Sequence, residues 1–312
     1  MAVTRTNILN DTNARDKFIR GVMRLKREIA NPRQQTSTWD AFVIWHQRTM
    51  MKMTPPTQNS RNAAHRGPVF LPWHRFMLMA LERQFQRVLN DSTFALPYWA
   101  WHKDGDLTAA QQKQSNLWKP AWIGGSGNPV TTGPFAFNAN DPNSFRVRVQ
   151  ATASGGLQLT NRGLRRALGQ DIATLPTTAR AKAAVNLSVY DQASWGTASS
   201  TTFRNVCEGW QPNGPGLHNR VHVWVGGDMG PGTSPNDPVF YLNHCNADRM
   251  WAAWQTKHPN SPYLPGDNES STLLGHRLSD PLESMFSGTP PKIKDMLNVA
   301  NVYKYDTVAD LI

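Results

Sequence analysis

At 312 residues the chain can bury a substantial core, while its two cysteines, Cys207 and Cys245, are too few for a disulfide-rich secreted module or a cysteine-based zinc site. A formal charge of +11 would suit an anionic partner, but the basic residues are spread along the chain rather than gathered into a strip, so nucleic acid is not an expected partner. Twelve Trp and 22 Pro describe an aromatic core wrapped in long irregular connections.

The opening stretch, MAVTRTNILNDTNARDKF, holds no apolar run long enough for a secretory signal, and no later segment approaches a membrane span. The expectation is a chain with no membrane partner, cytoplasmic or exported only with a helper. No internal repeat or low-complexity linker is visible, so residues 1–312 read as a single domain.

Residues 13–30 place Phe18, Val22, Leu25 and Ile29 at helical spacing with Arg and Lys outside. Residues 37–53 predict a second helix, with Ser37 or Thr38 as N-cap and Trp39, Phe42, Val43 and His46 facing inward. A third spans 68–90, with Pro72 near its entrance. From 103 to 205 the composition turns to Gly, Ser, Thr, Asn and Pro with weak periodicity, as loop with short elements does. The stretch GPGLHNRVHVWVGG, 214–227, fits either a short helix or a strand. Residues 238–257 predict a long amphipathic helix beginning near Pro238. The fold class that follows is mainly α with little β, a four-helix bundle core with inward-facing polar ligands joined by long loops. Whether Cys207 and Cys245 pair stays open.

Nine histidines are present. His46, His65, His74, His218, His222 and His244 lie within or beside these helices; His102, His258 and His276 sit in polar, Pro- or Gly-adjacent surroundings and read as bystanders. His218 and His222 are four apart, so on a helix both rings leave the same face and can meet one metal ion. Where an HExxH zinc protease carries its general-base Glu, this chain has Asn219, and no carboxylate completes a facial triad for non-haem iron. An all-imidazole set favours copper or zinc, and two groups of three suit a pair of copper ions that take up dioxygen between them.

FLPWHR, HNRVHVWVGG and SPNDPVFYLNHCNADRMWAAWQ, in that order, resemble the signature of type-3 copper proteins of the tyrosinase family, in particular the short bacterial tyrosinase and o-aminophenol oxidase group; the likeness runs from about residue 14 to Tyr305. It implies a dinuclear copper centre with His46, His65 and His74 on one ion and His218, His222 and His244 on the other, with dioxygen as co-substrate. It also implies that Glu208 and Asn219 together hold a water that deprotonates an incoming phenol, whose pKa near 10 makes it a poor ligand until ionised. Each ligand ring is expected to donate its other N–H to a carbonyl or carboxylate. Arg75 is expected to reach a buried carboxylate, with Asp248 as the candidate. Val223, Met229, Gly230 and Ser234, which follow His222, are expected to line the entrance.

Two departures from the family pattern stand out. Asn243 replaces the first member of a His-His pair found in many relatives, and Ala63 occupies the position of a cysteine that forms a thioether cross-link in some. Tyr303 to Tyr305, YKY, resembles the tyrosine motif that closes the catalytic domain of larger phenol oxidases. The chain continues for only seven residues beyond it, so no lid domain is expected.

The activity implied is oxidation of ortho-diphenols or ortho-aminophenols to o-quinones or quinone imines, with monophenol hydroxylation as an additional activity, on a small phenolic or aminophenolic substrate. A separate copper-delivery helper protein is an expected partner. The alternatives are an ordinary tyrosinase with full monophenolase activity, a haemocyanin-like oxygen carrier, and a zinc hydrolase.

Overall fold

The structure is a computed structural model describing residues 2–198 and 201–312. Helices dominate, in keeping with the mainly α expectation. α1 (Thr12–Arg27) starts at Asp11, whose carboxylate accepts from the Ala14 amide at 2.9 Å, and it buries Phe18, Val22 and Leu25. It stops three residues short of the expected end. Glu28 turns extended, and Ile29–Asn31 forms a short strand, β2, paired antiparallel with β3 (Thr36–Ser37).

The chain then enters α2 (Thr38–Met51) through a capping box. The Ser37 hydroxyl accepts from the Asp40 amide, and the Asp40 carboxylate accepts from the Ser37 amide at 2.9 Å. α3 (Phe70–Leu89) carries Pro72 in its first turn, where a missing N–H costs little. It packs along α1 and against α9 (Val239–Lys257). At the α1–α3 contact Gly21 allows close approach: a Cβ there would lie 2.4 Å from the Phe85 ring, which stacks on Phe18 at 5.7 Å.

The segment 103–205 is mostly irregular, as expected, apart from α5 (Ala109–Lys113), α6 (Thr178–Val185), the start of α7 (Phe203–Glu208) and a hairpin of β4 (Val147–Ala151) and β5 (Leu157–Arg162). Residues 199 and 200 of that stretch lie outside the described residues. The ambiguous 214–227 stretch is a helix, α8 (Leu217–Val225), stopped at Gly226 with φ of 64°. β6 (Tyr303–Tyr305) pairs in parallel with β1 (Val3–Arg5), joining the two ends of the chain.

That junction sits on a buried ionic network. Asp248 on α9 accepts from Arg75 Nε at 2.6 Å and from both Tyr303 and Tyr305 hydroxyls at 2.5 Å, while Arg5 lies 3.3 Å away and also binds Glu82 at 3.0 Å. The YKY strand thus closes over the carboxylate that anchors Arg75. Cys207 and Cys245 are buried free thiols. Among the described residues no helix is long and apolar enough to cross a membrane.

Candidate metal centre

Six imidazoles from four helices and one loop converge on the interior. His46 projects from α2, which its capping box orients. His65 comes from the loop before α3, and the Asn62 side chain shapes that loop by accepting from the Ala64 and His65 amides at 3.0 and 2.7 Å. The next residue, Arg66, adopts a left-handed φ of 62°, which turns the chain toward α3. His74 lies one turn into α3. His218 and His222 leave one face of α8, and His244 leaves α9.

The rings form two groups, His46–His65–His74 and His218–His222–His244, in each of which the ligand nitrogens lie within 4.8 Å of one another. The groups touch. His74 stacks on His244 with centroids 4.2 Å apart and planes at 17°, and Phe240 sits between them, 4.9 Å from His46 and 4.0 Å from His244. Phe70 fills the other flank, 4.8 Å from His74 and 4.9 Å from His218. Neither phenylalanine was singled out by sequence reasoning. Phe70 was legible in principle, since it lies four residues before His74 and shares its face of the helix.

Four rings have a fixed tautomer. His46 Nδ1 donates to the Gly232 carbonyl at 2.6 Å, His74 Nδ1 to Phe70 at 2.8 Å and His222 Nδ1 to Met229 at 2.7 Å. His218 Nδ1 donates to the Glu208 carbonyl at 3.2 Å and the Asn219 Oδ1 at 3.1 Å. The expectation that every ring would be so held fails at His65 and His244, whose Nδ1 atoms are buried with no partner among the described residues. His65 sits in a loop and His244 against the His74 ring, so packing orients these two in place of a hydrogen bond.

The fit to a metal can be tested from the nitrogens themselves. With Nδ1 protonated, the Nε2 atoms of His218 and His222 carry lone pairs, yet they face each other at 3.0 Å, and His218 Nε2 lies 2.9 Å from His244 Nε2. The Nε2 atoms of His46 and His74 are likewise buried without a partner. Lone pairs gathered this closely in a dry interior are satisfied by a shared cation. Burial also keeps the rings neutral, lowering His46 to about 3 and His222 to about 4 and the other four well below the usual range, so they are available as ligands at neutral pH. An all-imidazole donor set with two ions' worth of ligands fits copper.

Glu208 ends α7 and is wholly buried. Its Oε1 accepts from the Arg66 amide at 2.7 Å and its Oε2 from Arg204 at 3.0 Å, and its own carbonyl receives His218. One residue therefore ties the His65 loop of the first group to His218 of the second. Gly209 makes this contact possible. Its φ is 105°, and a Cβ there would fall 2.1 Å from the Gly216 carbonyl, blocking the approach of α8. Burial raises the Glu208 carboxyl; Arg204 and the Arg66 amide oppose it without cancelling it. Arg204 is held in turn by Asp191 at 2.7 Å. The Arg204–Glu208 spacing of four residues on a helix is a sequence signal for this pair.

Asn219 is half-buried beside His218. Asn243 is fully buried; its amide donates to the His218 carbonyl at 3.4 Å and its Oδ1 has no partner among the described residues. Around His222 the expected entrance divides. Val223 is half-buried and Gly230 exposed, whereas Met229 and Ser234 are buried. Met229 contributes its carbonyl to His222 and packs its side chain into the core, so it does not line an entrance, and neither does Ser234. The reason is a short 3₁₀ turn at Gly227–Met229 that folds the segment inward.

The three remaining histidines stay apart from both groups and have polar partners, though two of them are buried. His102 is buried against Asp310 at 3.1 Å and His276 is buried against the Thr54 hydroxyl at 2.9 Å.

Residues 36–257 match the family model described as the common central domain of tyrosinase. The chain is 38% identical over 300 residues to a tyrosinase of Streptomyces antibioticus, covering 95% of this chain and 97% of that protein. It is 32% identical over 328 residues to a grixazone synthase of Streptomyces griseus, covering 97% and 99% respectively. Among solved structures, a polyphenol oxidase from Thermothelomyces thermophila superposes with a TM-score of 0.71 at 21% identity, covering 98% of this chain and 89% of that one.

Proposed function

Because the chain belongs to the tyrosinase family and is a dinuclear copper phenol oxidase that uses dioxygen, we propose that His46, His65 and His74 hold one copper, that His218, His222 and His244 hold the other, and that ortho-diphenols and ortho-aminophenols are its preferred substrates. The observation that carries the ligand assignment is the pair of inward-facing Nε2 lone pairs of His218 and His222, 3.0 Å apart, with the Nε2 of His244 2.9 Å from that of His218. Copper bound there supplies the one-electron exchange through which dioxygen accepts electrons from the aromatic ring. The balance is two diphenols and one dioxygen to two o-quinones and two waters, four electrons and four protons moving in all.

The chain's own residues position and deprotonate. Phe70 and Phe240 wall the pair of sites and exclude water from the imidazoles. Glu208 and Asn219 are the groups we assign to holding a water that takes up the proton of an incoming phenol. Their free capacity is small: both Glu208 oxygens already accept from the protein, and Asn219 Oδ1 already takes the His218 N–H. Asn243 adds no base, since an amide does not take up a proton at neutral pH. A plain phenol, which must be ionised before its oxygen binds well, is therefore at a disadvantage against an aminophenol, whose nitrogen lone pair is available without deprotonation. The relationship to a grixazone synthase is in keeping with this choice. The domain reading of 1–312 as one catalytic unit and a separate copper-delivery helper belong to the same proposal; a single hydrophobic cluster reaching from Ile8 to Leu311 supports the first.

Metal analysis and oxygen uptake test it. Two coppers per chain with oxygen consumption on catechol are expected, and one zinc with no uptake would falsify the reading. Initial rates on tyrosine, catechol and 2-aminophenol, with and without Asn243→His, test the substrate preference. The substitution is expected to raise monophenol turnover relative to diphenol turnover, and an unchanged ratio removes Asn243 from the account.

A further inference from the structure

Access to the metal pair is uneven. Four of the six histidines are no more than 3% exposed, but His65 reaches 9% and His222 is half-buried, so the most accessible member of each group is one of these two. Val223 flanks His222 at this opening. Beside His65 stands Arg66, exposed, on a backbone held in the left-handed region and fastened by its amide to Glu208. Its guanidinium lies over the Trp210 ring, 5.5 Å from the centroid. Trp210 follows Gly209, where a Cβ would lie 3.0 Å from the Asn219 Cβ, which places the cation and its aromatic seat on the Glu208–Asn219 side of the opening.

Arg66 is exposed and differs from most of the buried guanidiniums of this chain. Arg5, Arg75, Arg166 and Arg204 each hold a carboxylate. Among the described residues Arg66 has none; its contacts are the Trp210 face and its own amide bond to Glu208. The nearby Glu208 carboxylate is committed to Arg204 and to that amide. An oriented, unpaired guanidinium on an aromatic platform next to a substrate opening is suited to a planar anion, which it can hold through two parallel N–H donors.

Building on the substrate reading above, we propose that Arg66 is a specificity residue that pairs with a carboxylate on the substrate ring, so that the preferred ortho-diphenol or ortho-aminophenol carries an acidic substituent directed away from its oxidised edge. Trp210 keeps the guanidinium extended along the rim, and the ring of the substrate enters between Arg66 and Val223.

The test compares 3,4-dihydroxybenzoate with its methyl ester by oxygen uptake in the copper-loaded protein. The quantity read is the ratio of the two KM values, ester over acid. In Arg66→Gln that ratio is expected to fall about tenfold, in Arg66→Lys to fall by less, and in the unsubstituted protein to fall as salt is raised. An equal ratio in Arg66→Gln and the unsubstituted protein overturns the proposal. So does an equal fall in Arg33→Gln, whose charge lies on the exposed turn after α1, since the effect would then belong to the net charge of +11. Calorimetric titration of 4-hydroxybenzoate and its methyl ester into metal-free protein reads the same preference without turnover. Oxidation of neither substrate, with the calorimetric preference intact and lost in Arg66→Gln, counts against the oxidase substrate reading and leaves Arg66 standing; absence of that preference in the unsubstituted protein counts against Arg66.

Discussion

Asp248 shows how one buried residue carries several tasks. Burial alone would raise its carboxyl, but Arg75, Arg5 and the two tyrosine hydroxyls outweigh that and hold it below the usual carboxylate range. A carboxylate with a depressed native pKa stabilises the fold fully above its unfolded value, near 4, and that contribution is lost as pH falls through the native value. The free energy of unfolding is therefore expected to decline from about pH 5 toward pH 2, and the decline to be shallower in Asp248→Asn, as urea titrations at several pH values would show. At pH 7 the same substitution is expected to cost about 3 kcal/mol, because it leaves Arg75 and Arg5 short of a counter-charge in a dry site. Arg204 poses the complementary case. Arg204→Met strands Asp191 and Glu208, both fully buried, and is expected to destabilise by about 3–5 kcal/mol in denaturant unfolding; a loss below about 1 kcal/mol would mean the carboxylates find water or each other's protons.

The Arg75–Asp248 partnership was legible from sequence because Arg75 follows His74 and Asp248 lies four residues, one turn, after His244, each on a helix read from its spacing. Asp191 was not. It lies in an irregular stretch where periodicity assigns no face, and only the fold brings it to Arg204.

At the scale of elements, helix positions were readable and helix ends less so. The capping box at Ser37 marks the start of α2 in the sequence itself, and Ser37→Ala is expected to cost about 1 kcal/mol in thermal or chemical unfolding. Since α2 carries His46, the same variant should bind copper more weakly when titrated, whereas removal of a cap on a helix without ligands, such as Thr177→Ala at the start of α6, should not. The end of α1 was misjudged because Ile29 continues the apolar spacing, while the chain there leaves the helix to pair with Thr36–Ser37, a contact no local pattern announces. The 214–227 stretch was ambiguous for a related reason. Nine residues between glycines suit a helix or a strand by length, and the helix prevails where Gly209 lets its first turn reach the Glu208 carbonyl.

Over the whole molecule, the two histidine groups are a preformed but electrostatically frustrated cage. The Nε2 lone pairs of His218 and His222, which face one another at 3.0 Å, repel in the metal-free protein, a repulsion that a cation converts into binding. Copper is thus expected to raise the unfolding midpoint, by about 4 kcal/mol of added stability when free copper exceeds its Kd about a thousandfold, and a chelator to reverse this; scanning calorimetry with and without copper measures it. No shift on adding copper would show that the rings do not converge in solution.

The amino-acid sequence by itself determined the long amphipathic helices and the kind of ligand, because each follows from spacing of 3.6 residues and the chemistry of single side chains, and it set His218 and His222 at the spacing that shares a face once the stretch is helical. Only the tertiary structure decided how His65, held in a loop by Asn62, meets rings from α2 and α3, and that Met229 and Ser234 turn inward. It also decided that Glu208 spans the two groups and that Arg66 stands unpaired at the opening. These depend on contacts between residues far apart in the chain, whose geometry is set by the packing of whole elements and the placement of a few glycines, and local periodicity carries no record of either.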